Sequence, residues 1–401
     1  MRRLPCLVFA LASIAAAVED RRDPVRVDDF SLPPLAQWTF ADDRLELHPK
    51  ALLGVGWNSN VYGRSDDVVA DTYLRQLAGI ETRWHAGRMH DLRLDLEIDN
   101  RTYLNESELD LFGGHVDASW RHQAARSTMG ARAAYARDAD PLVESGEQIA
   151  RDESVVAIDG GWNAAAMRYA ATASVSRIDY RQDSRFFTED QRDALRPALI
   201  LRLGHVNARD SEAYTSLRVD RIIYATDERY QDSLGARLVV GYRGRLAARA
   251  RFSVEGGLDH RRYQANAVAD ESAVTRPGFE GTVRWPWEAG SEVGLRVFSE
   301  VEDGIAGGAS WDTGAYLDLR YRLLVNAALI GGFGFVRIEP ETGIAGAPSG
   351  SRTNQDARLG GEYVLREGVG LRLLGTWQNG RQPNGAGFTR LGAELVLAVA
   401  F

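Results

Sequence analysis

The residues that could support catalysis in this chain are few, and their spacing does not assemble a recognisable reaction centre. The seven histidines do not occur in an HExxH motif, and no GxSxG, Walker or CxxC motif accompanies them. Asp259 and His260 are adjacent, so a strand would point them to opposite faces. His115 and Ser119 share a face, but no third residue completes a triad. The pattern therefore predicts neither an enzyme nor a metal site, and no cofactor is expected.

Arginine is the more informative residue type, because it alternates with apolar residues along many short segments. Arginine donates paired hydrogen bonds to carboxylates and phosphates, and it also forms ion pairs with acidic side chains. If the apolar residues face outward, these arginines and the acids among them face inward. They could form a selectivity lining or a mixed ion-pair network that rigidifies the wall. The candidates are Arg237, Arg243, Arg296, Arg320, Arg322, Arg358, Arg372, Glu97, Glu255 and Asp318.

Strands must position these side chains, because the alternation has a period of two. In HDLRLDLEIDN, four apolar residues from Leu92 to Ile98 alternate with charged ones. In SLGARLVVGYR, five residues from Leu234 to Tyr242 share one face. The connections between such segments alternate between short turns and long polar loops. Nine long loops and eight short turns would join eighteen strands, and sixteen is the alternative count.

Alternating loop lengths are typical of an outer-membrane barrel, with short periplasmic turns and long extracellular loops. One face of each strand would meet lipid and the other a polar lumen, and closure would satisfy every backbone hydrogen bond inside the bilayer. A large exported β-sandwich or β-helix would also use alternating strands, but neither predicts this loop pattern. The predicted fold is therefore all-β, a closed antiparallel transmembrane β-barrel of about 18 strands.

The two chain ends support export and membrane insertion. Residues 1–17 combine two early arginines, an apolar run and small residues, which is the pattern of a signal peptide. Residues 18–46 are polar and read as a periplasmic extension, so the barrel is expected to span 47–401. The last strand alternates apolar residues up to an aromatic end, which resembles the signal read by the barrel-assembly machinery. That assembly signal would be Leu397, Val399 and Phe401.

The start of the predicted barrel, HPKALLGVGWNSNVYGRSDD, carries a family resemblance. It resembles the opening strand of a β-barrel porin family often encoded beside exopolysaccharide synthesis genes. The matching positions include Pro49, Trp57, Asn58, Asn60 and Tyr62. The resemblance implies an outer-membrane barrel associated with export of an extracellular polysaccharide, and it supplies no binding residues. Asparagine at the end of a strand also suits a turn into a loop.

The expected function is passage of hydrophilic solute across the outer membrane of a Gram-negative bacterium, with secreted exopolysaccharide as the favoured cargo. Long loops such as 136–153 and 339–354 would narrow the lumen. A general small-solute porin is the first alternative, and a barrel enzyme or surface-binding structural protein with a plugged lumen is the second. Expected partners are outer-membrane lipid, lipopolysaccharide, the barrel-assembly machinery and possible periplasmic polysaccharide-export components, with no nucleic acid.

Overall fold

A computed structural model gives the fold as a run of antiparallel strands. All described residues belong to one compact unit, Leu32–Phe401. The described ranges are 38–40, 44–139, 148–181, 189–207, 211–226, 230–246, 249–266, 269–303, 308–340, 350–382 and 387–401. The predicted signal peptide and most of the predicted extension therefore lie outside the described residues.

Nineteen strands and two short 3₁₀ helices, Ser107–Leu109 and Glu189–Arg192, make up the regular structure of these ranges. Among the described residues, no helix is long and apolar enough to span a membrane. The strands are β1 (Trp38–Phe40), β2 (Leu45–Asn58), β3 (Asp71–His85), β4 (His90–Tyr103), β5 (Leu111–Gln123), β6 (Ser127–Asp138), β7 (Arg151–Ala164), β8 (Met167–Tyr180), β9 (Ala194–Val206), β10 (Glu212–Tyr224), β11 (Ser233–Arg245), β12 (Arg251–Tyr263), β13 (Ser272–Glu288), β14 (Ser291–Asp303), β15 (Ala309–Leu324), β16 (Ala327–Pro340), β17 (Arg352–Arg366), β18 (Val369–Arg381) and β19 (Gly387–Ala400).

The strands from β2 to β19 close into a barrel. Each pairs antiparallel with the next, and β19 returns to β2 with partners running from Gly392 opposite Asn58 to Ala400 opposite Lys50. We call this β2–β19 pairing the closure seam. Because the ring has no open edge, every strand has a hydrogen-bonding neighbour on both sides. The prediction of a closed antiparallel barrel with 18 strands is confirmed.

Alternation of side chains sorts each strand into an outer apolar face and an inner polar face. In β11, Leu234, Leu238 and Val240 are exposed, whereas Arg237 and Val239 between them are buried. The exposed apolar residues are the ones that would contact lipid, since half of a barrel strand faces outward. The predicted apolar face of this segment is therefore the outer face.

The two ends of the barrel differ in their connections. Eight connections of two to five residues lie at one end, and nine of five to thirteen residues lie at the other. Of the loops expected to narrow the lumen, the central parts of 136–153 and 339–354 lie outside the described residues.

Outward-facing aromatic residues gather near the short-turn end. Trp84, Trp162 and Trp285 are exposed there, and Trp287 packs between Trp285 and Tyr321 at ring-centroid distances of 6.2 and 6.4 Å. Amphipathic rings in this position match the aromatic girdle of a barrel at a membrane interface. Trp57 and Trp377 lie outward near the long-loop end.

The predicted boundary at residue 47 falls inside the first barrel strand, which begins at Leu45. The preceding polar segment contributes β1, which pairs with Leu45–Leu47 of β2. The β1 strand thus pairs with the first residues of β2, which extend past the end of β19. Further along β2, the amide of Phe401 donates to the carbonyl of Pro49 at 2.9 Å. The backbone groups of β2 are thereby paired along both edges at the short-turn end.

Candidate functional site: the inner face of the barrel

The inner face of the wall carries charges of both signs, and most of them are paired. The predicted lining residues all have the inward parity of their strands, opposite to the exposed apolar positions. Many of the pairs join into larger clusters, and three of these contain predicted lining residues at or near their centres. Each of these three clusters joins side chains from three or four strands.

The first cluster lies on β2, β4 and β5. The ammonium of Lys50 lies 2.5 Å from Glu97 and 4.0 Å from Asp95. The His115 ring contacts the same two acids, at 3.5 Å from Glu97 and 3.7 Å from Asp95. One lysine thus holds two carboxylates that would otherwise repel each other. The described contacts of His115 are with Asp95 and Glu97 and not with Ser119, so the structure brings no triad together here.

Next to the first cluster, an arginine and two acids form a contact on the lumen side of the closure seam. Arg75 of β3 donates to Asp99 of β4 at 3.0 and 2.8 Å, and its guanidinium is 3.9 Å from Glu394 of β19. These three side chains are buried. The interaction therefore links β3 to β19 across β2, in addition to the backbone ladder.

The second cluster is centred on Arg237 of β11. Its guanidinium lies 3.2 Å from Glu255, 3.6 Å from Asp259 and 3.3 Å from Glu300. Glu300 is on β14, so this contact passes over two intervening strands. Arg296 continues the network, at 3.4 Å from Glu280 and 3.8 Å from Glu300, and it packs 4.6 Å from the ring centroid of Phe298.

The third cluster is centred on Glu362 of β17. Arg372 donates to it at 2.9 and 2.5 Å, and Arg320 approaches its other oxygen at 2.5 Å. Arg358 binds Asp318 close by. Paired, hydrogen-bonded guanidinium and carboxylate groups of this kind hold their side chains in fixed positions along the wall.

Of the predicted lining residues, Arg322 has a different surrounding. Its guanidinium donates to the backbone carbonyls of Leu324 and Val325 at 3.2 and 3.0 Å, and to Ala289 at 3.5 Å. Arg322 therefore links two adjacent short turns at the rim of the barrel. Its described acceptors are backbone carbonyls and not acidic side chains. Arg243 pairs with Glu212 near the same end, at 2.6 Å.

Sequence reasoning did not select Lys50, Arg75, Asp99 and Glu212, which the structure places at the centres of these contacts. Each sits at the inward parity of its strand, so the alternation contained the signal for them. Lys50 and Glu212 lie near the short-turn ends, where the boundary between strand and turn is hard to read from sequence.

His85, His90, His122 and His205 lie at the short-turn end of the barrel. His85 bonds Asp91 at 2.6 Å, and the rings of His90 and His122 are 4.6 Å apart next to Trp120. His260 contacts Thr275, on the opposite face from Asp259. No group of three or more potential metal ligands occurs among the described residues.

The residues of the WNSNVY motif lock the start of the first long loop onto the last strand. The Asn58 carboxamide oxygen accepts the amide of Asn60 at 2.9 Å, and Asn60, which is 0% exposed, donates to the carbonyls of Arg64 and Thr389. Arg390 of β19 donates back to the carbonyls of Asn60 and Val61 at 2.8 and 3.2 Å.

Tyr62 extends this motif to the next long loop. Its hydroxyl donates to Glu106 at 2.6 Å and also contacts Glu108. Burial and these two acceptors raise the pKa of the Tyr62 hydroxyl above its ordinary value. Tyr62 thus stays protonated at neutral pH and ties the β2–β3 loop to the β4–β5 loop.

No curated protein matches the sequence. Among solved structures, the chain is similar to Pseudomonas aeruginosa OccK1 (OpdK), with 14% identity, TM-score 0.49, and coverage of 90% of this chain and 100% of that one. It is similar to a BenF-like porin from Pseudomonas fluorescens Pf-5, with 8% identity, TM-score 0.49, and coverage of 88% and 98%. It is also similar to Acinetobacter baumannii OccAB3, with 9% identity, TM-score 0.48, and coverage of 88% and 99%.

A family model described as putative beta-barrel porin 2 matches residues 46–372. The match begins one residue after β2 starts and ends inside β18, so it covers nearly the whole closed wall. The resemblance noted at Pro49 to Tyr62 falls within it. The chain therefore belongs to the putative beta-barrel porin 2 family and is a porin of the Gram-negative outer membrane.

Proposed function

We propose that this porin passes small hydrophilic solutes through its barrel. The observation that carries the proposal is the charge-paired inner wall, in which Lys50, Arg237 and Glu362 each hold two or more partners of opposite sign. Pairing fixes the side chains against the wall, and the remaining polar surface suits hydrated solutes. Membership of a porin family supports the same reading.

The small-solute reading replaces polysaccharide export as the favoured function. The comparisons give no support for an exopolysaccharide cargo, and none of the three clusters shows a continuous array of unpaired donors that a long polymer would follow. An enzymatic role gains no support from the family match either. Interaction with lipopolysaccharide and with the barrel-assembly machinery, the latter through Leu397, Val399 and Phe401 on the outer face, remains part of the proposal.

Conductance of the refolded full-length chain in a planar bilayer tests the proposal, together with swelling of liposomes in neutral sugars of increasing size. A steady conductance and faster swelling with a monosaccharide than with a tetrasaccharide are expected. A correctly folded barrel that neither conducts nor accelerates monosaccharide uptake would overturn it. Migration on gels before and after heating provides the control for folding.

A further inference from the structure

Three arginines converge on one glutamate at the inner wall near the short-turn end. Arg168 of β8 and Arg243 of β11 both bind Glu212 of β10, at 3.0 Å and 2.6 Å from the same oxygen. Arg202 of β9 lies 3.6 Å from the other oxygen, which is beyond hydrogen-bonding distance. We call Arg168, Arg202, Arg243 and Glu212 the Glu212 cluster. Three guanidinium groups and one carboxylate leave it with an excess of two positive charges.

Arg202 is the under-satisfied member of the cluster. Its Nε and Nη2 have no hydrogen-bond partner among the described residues, and its guanidinium lies over the ring of Tyr214 at 3.4 Å from the centroid. The nearby Glu255 does not supply the missing acceptor, because it binds the Tyr214 hydroxyl at 2.8 Å and Arg237 at 3.2 Å. Both nitrogens are buried, and Nε faces Oε1 of Glu212, which is also without a hydrogen-bond partner among the described residues, so Arg202 is held in place by Tyr214 and by the charge of Glu212.

The carboxylate and the arginines of the cluster differ in access to the lumen. The Glu212 side chain is 3% exposed, whereas those of Arg168, Arg243 and Arg202 are 26%, 17% and 15% exposed. Gly204 makes this burial possible, since a Cβ there would come within 2.0 Å of the Glu212 carboxylate. The acid is thus packed against the wall, and Arg168 and Arg243 are the more exposed cations beside it.

We propose that the Glu212 cluster is a binding site for the oxyanion group, carboxylate or phosphate, of a small solute. An oxyanion with two or more oxygens can bridge neighbouring guanidinium groups with charge-assisted hydrogen bonds. It would also offset the excess charge, which a neutral sugar or a cation cannot do. The inference rests on the proposed function, because solutes reach the site only if they enter the barrel. It adds to that function the chemical class of a solute and the place where the solute binds.

The test measures block of single-channel current by sodium gluconate, with glucose as the neutral probe of similar size and inorganic phosphate as the second oxyanion. Each is added separately to the short-turn side and the long-loop side of the full-length barrel. Gluconate or phosphate is expected to block at lower concentration from the short-turn side than from the long-loop side, and glucose is not expected to block. Block should weaken as KCl is raised, because salt screens the charges.

Two variants and one control locate the site. R202Q and R243Q should each raise the half-blocking concentration by about tenfold, the usual effect of losing one charge-assisted hydrogen bond. R284Q removes an inward arginine near the same end that pairs with Glu292 outside the cluster, and it should leave block nearly unchanged. Equal block by gluconate and glucose, or an equal effect of R284Q and R202Q, would overturn the site.

Calorimetry of phosphate binding to the refolded barrel in detergent separates this inference from the porin function. If the wild-type barrel does not conduct but binds phosphate, and R202Q weakens that binding, the proposed function fails and the site stands. If the barrel conducts but neither oxyanion binds or blocks, the porin function stands and the site fails. A response to phosphate alone or to gluconate alone identifies which oxyanion the site takes.

Discussion

The guanidinium of Arg390, in the last strand, donates its Nε hydrogen to the carbonyl oxygen of Asn60, just beyond the end of the first barrel strand, at 2.8 Å. The two residues are 330 positions apart in the chain. Both are buried, and their contact sits at the long-loop end of the closure seam. The β19–β2 register ends at Asn58 and Gly392, and the amide of Ser59 still donates to the carbonyl of Leu391 at 2.8 Å. Arg390 therefore reinforces the ladder with a side chain at this end.

Replacing Arg390 by methionine should destabilise the barrel by about 3 kcal/mol, because the buried carbonyls of Asn60 and Val61 lose a charged donor. Unfolding of the refolded barrel in urea, followed by tryptophan fluorescence, measures the change. Arg381→Met is the matched control, since Arg381 is exposed at the same end of the adjacent strand β18. Equal loss of stability in both variants would mean that Arg390 does not lock the closure seam.

Glu362→Gln should lower stability and also shift ion selectivity toward anions. The side chain is buried between Arg320 and Arg372, so the variant leaves two guanidinium groups without their shared carboxylate. Loss of one partner from a buried pair costs about 3–5 kcal/mol. Reversal potential under a KCl gradient reports the selectivity. Glu339→Gln, which removes a partly exposed partner of the exposed Arg337, should change neither quantity appreciably.

Acetylation with an amine reagent should make the pore more cation-selective, because Lys50 is the only lysine in the chain. Its side chain is 39% exposed, and its loss of charge would leave Glu97 and Asp95 without their ammonium partner. The reversal potential before and after treatment measures the shift. The Lys50→Met variant controls for reaction at the amino terminus. A shift of the same size in that variant would show that Lys50 is not responsible.

Gly114→Ala should impair folding, with a cost of about 2–3 kcal/mol from the backbone alone. Gly114 has a φ of +140°, and a Cβ there would lie 2.0 Å from the carbonyl oxygen of Glu97 on the paired strand. Yield of heat-modifiable barrel after refolding is the measurement. Gly256→Ala is the control, because its Cβ would meet no atom closer than 3.9 Å. Efficient folding of Gly114→Ala would contradict the described geometry.

Much of the wall could be read from the sequence, because the face of each residue in a strand depends only on parity. Leu238 was predicted outward and Arg237 inward, and the exposure of the two side chains agrees. The count of strands followed from the connections, since every connection, short or long, joins two antiparallel strands. The alternation of apolar residues in the last strand predicted its outward face in the same way.

Partner choice could not be read this way, because it depends on register and closure. Arg237 contacts Glu300 across two strands, and Arg75 approaches Glu394 only because β19 returns beside β2. Arg322 has the parity of a lining residue, yet it lies at the rim of the barrel, where its guanidinium donates to backbone carbonyls of the short turns.

Sequence alone thus determined which side of the wall each residue occupies, since that depends on a local period of two. The tertiary structure decided which charges meet and which remain in excess, as in the Glu212 cluster. Those outcomes depend on how far each strand is shifted against its neighbours around the closed ring, and no local pattern encodes that shift.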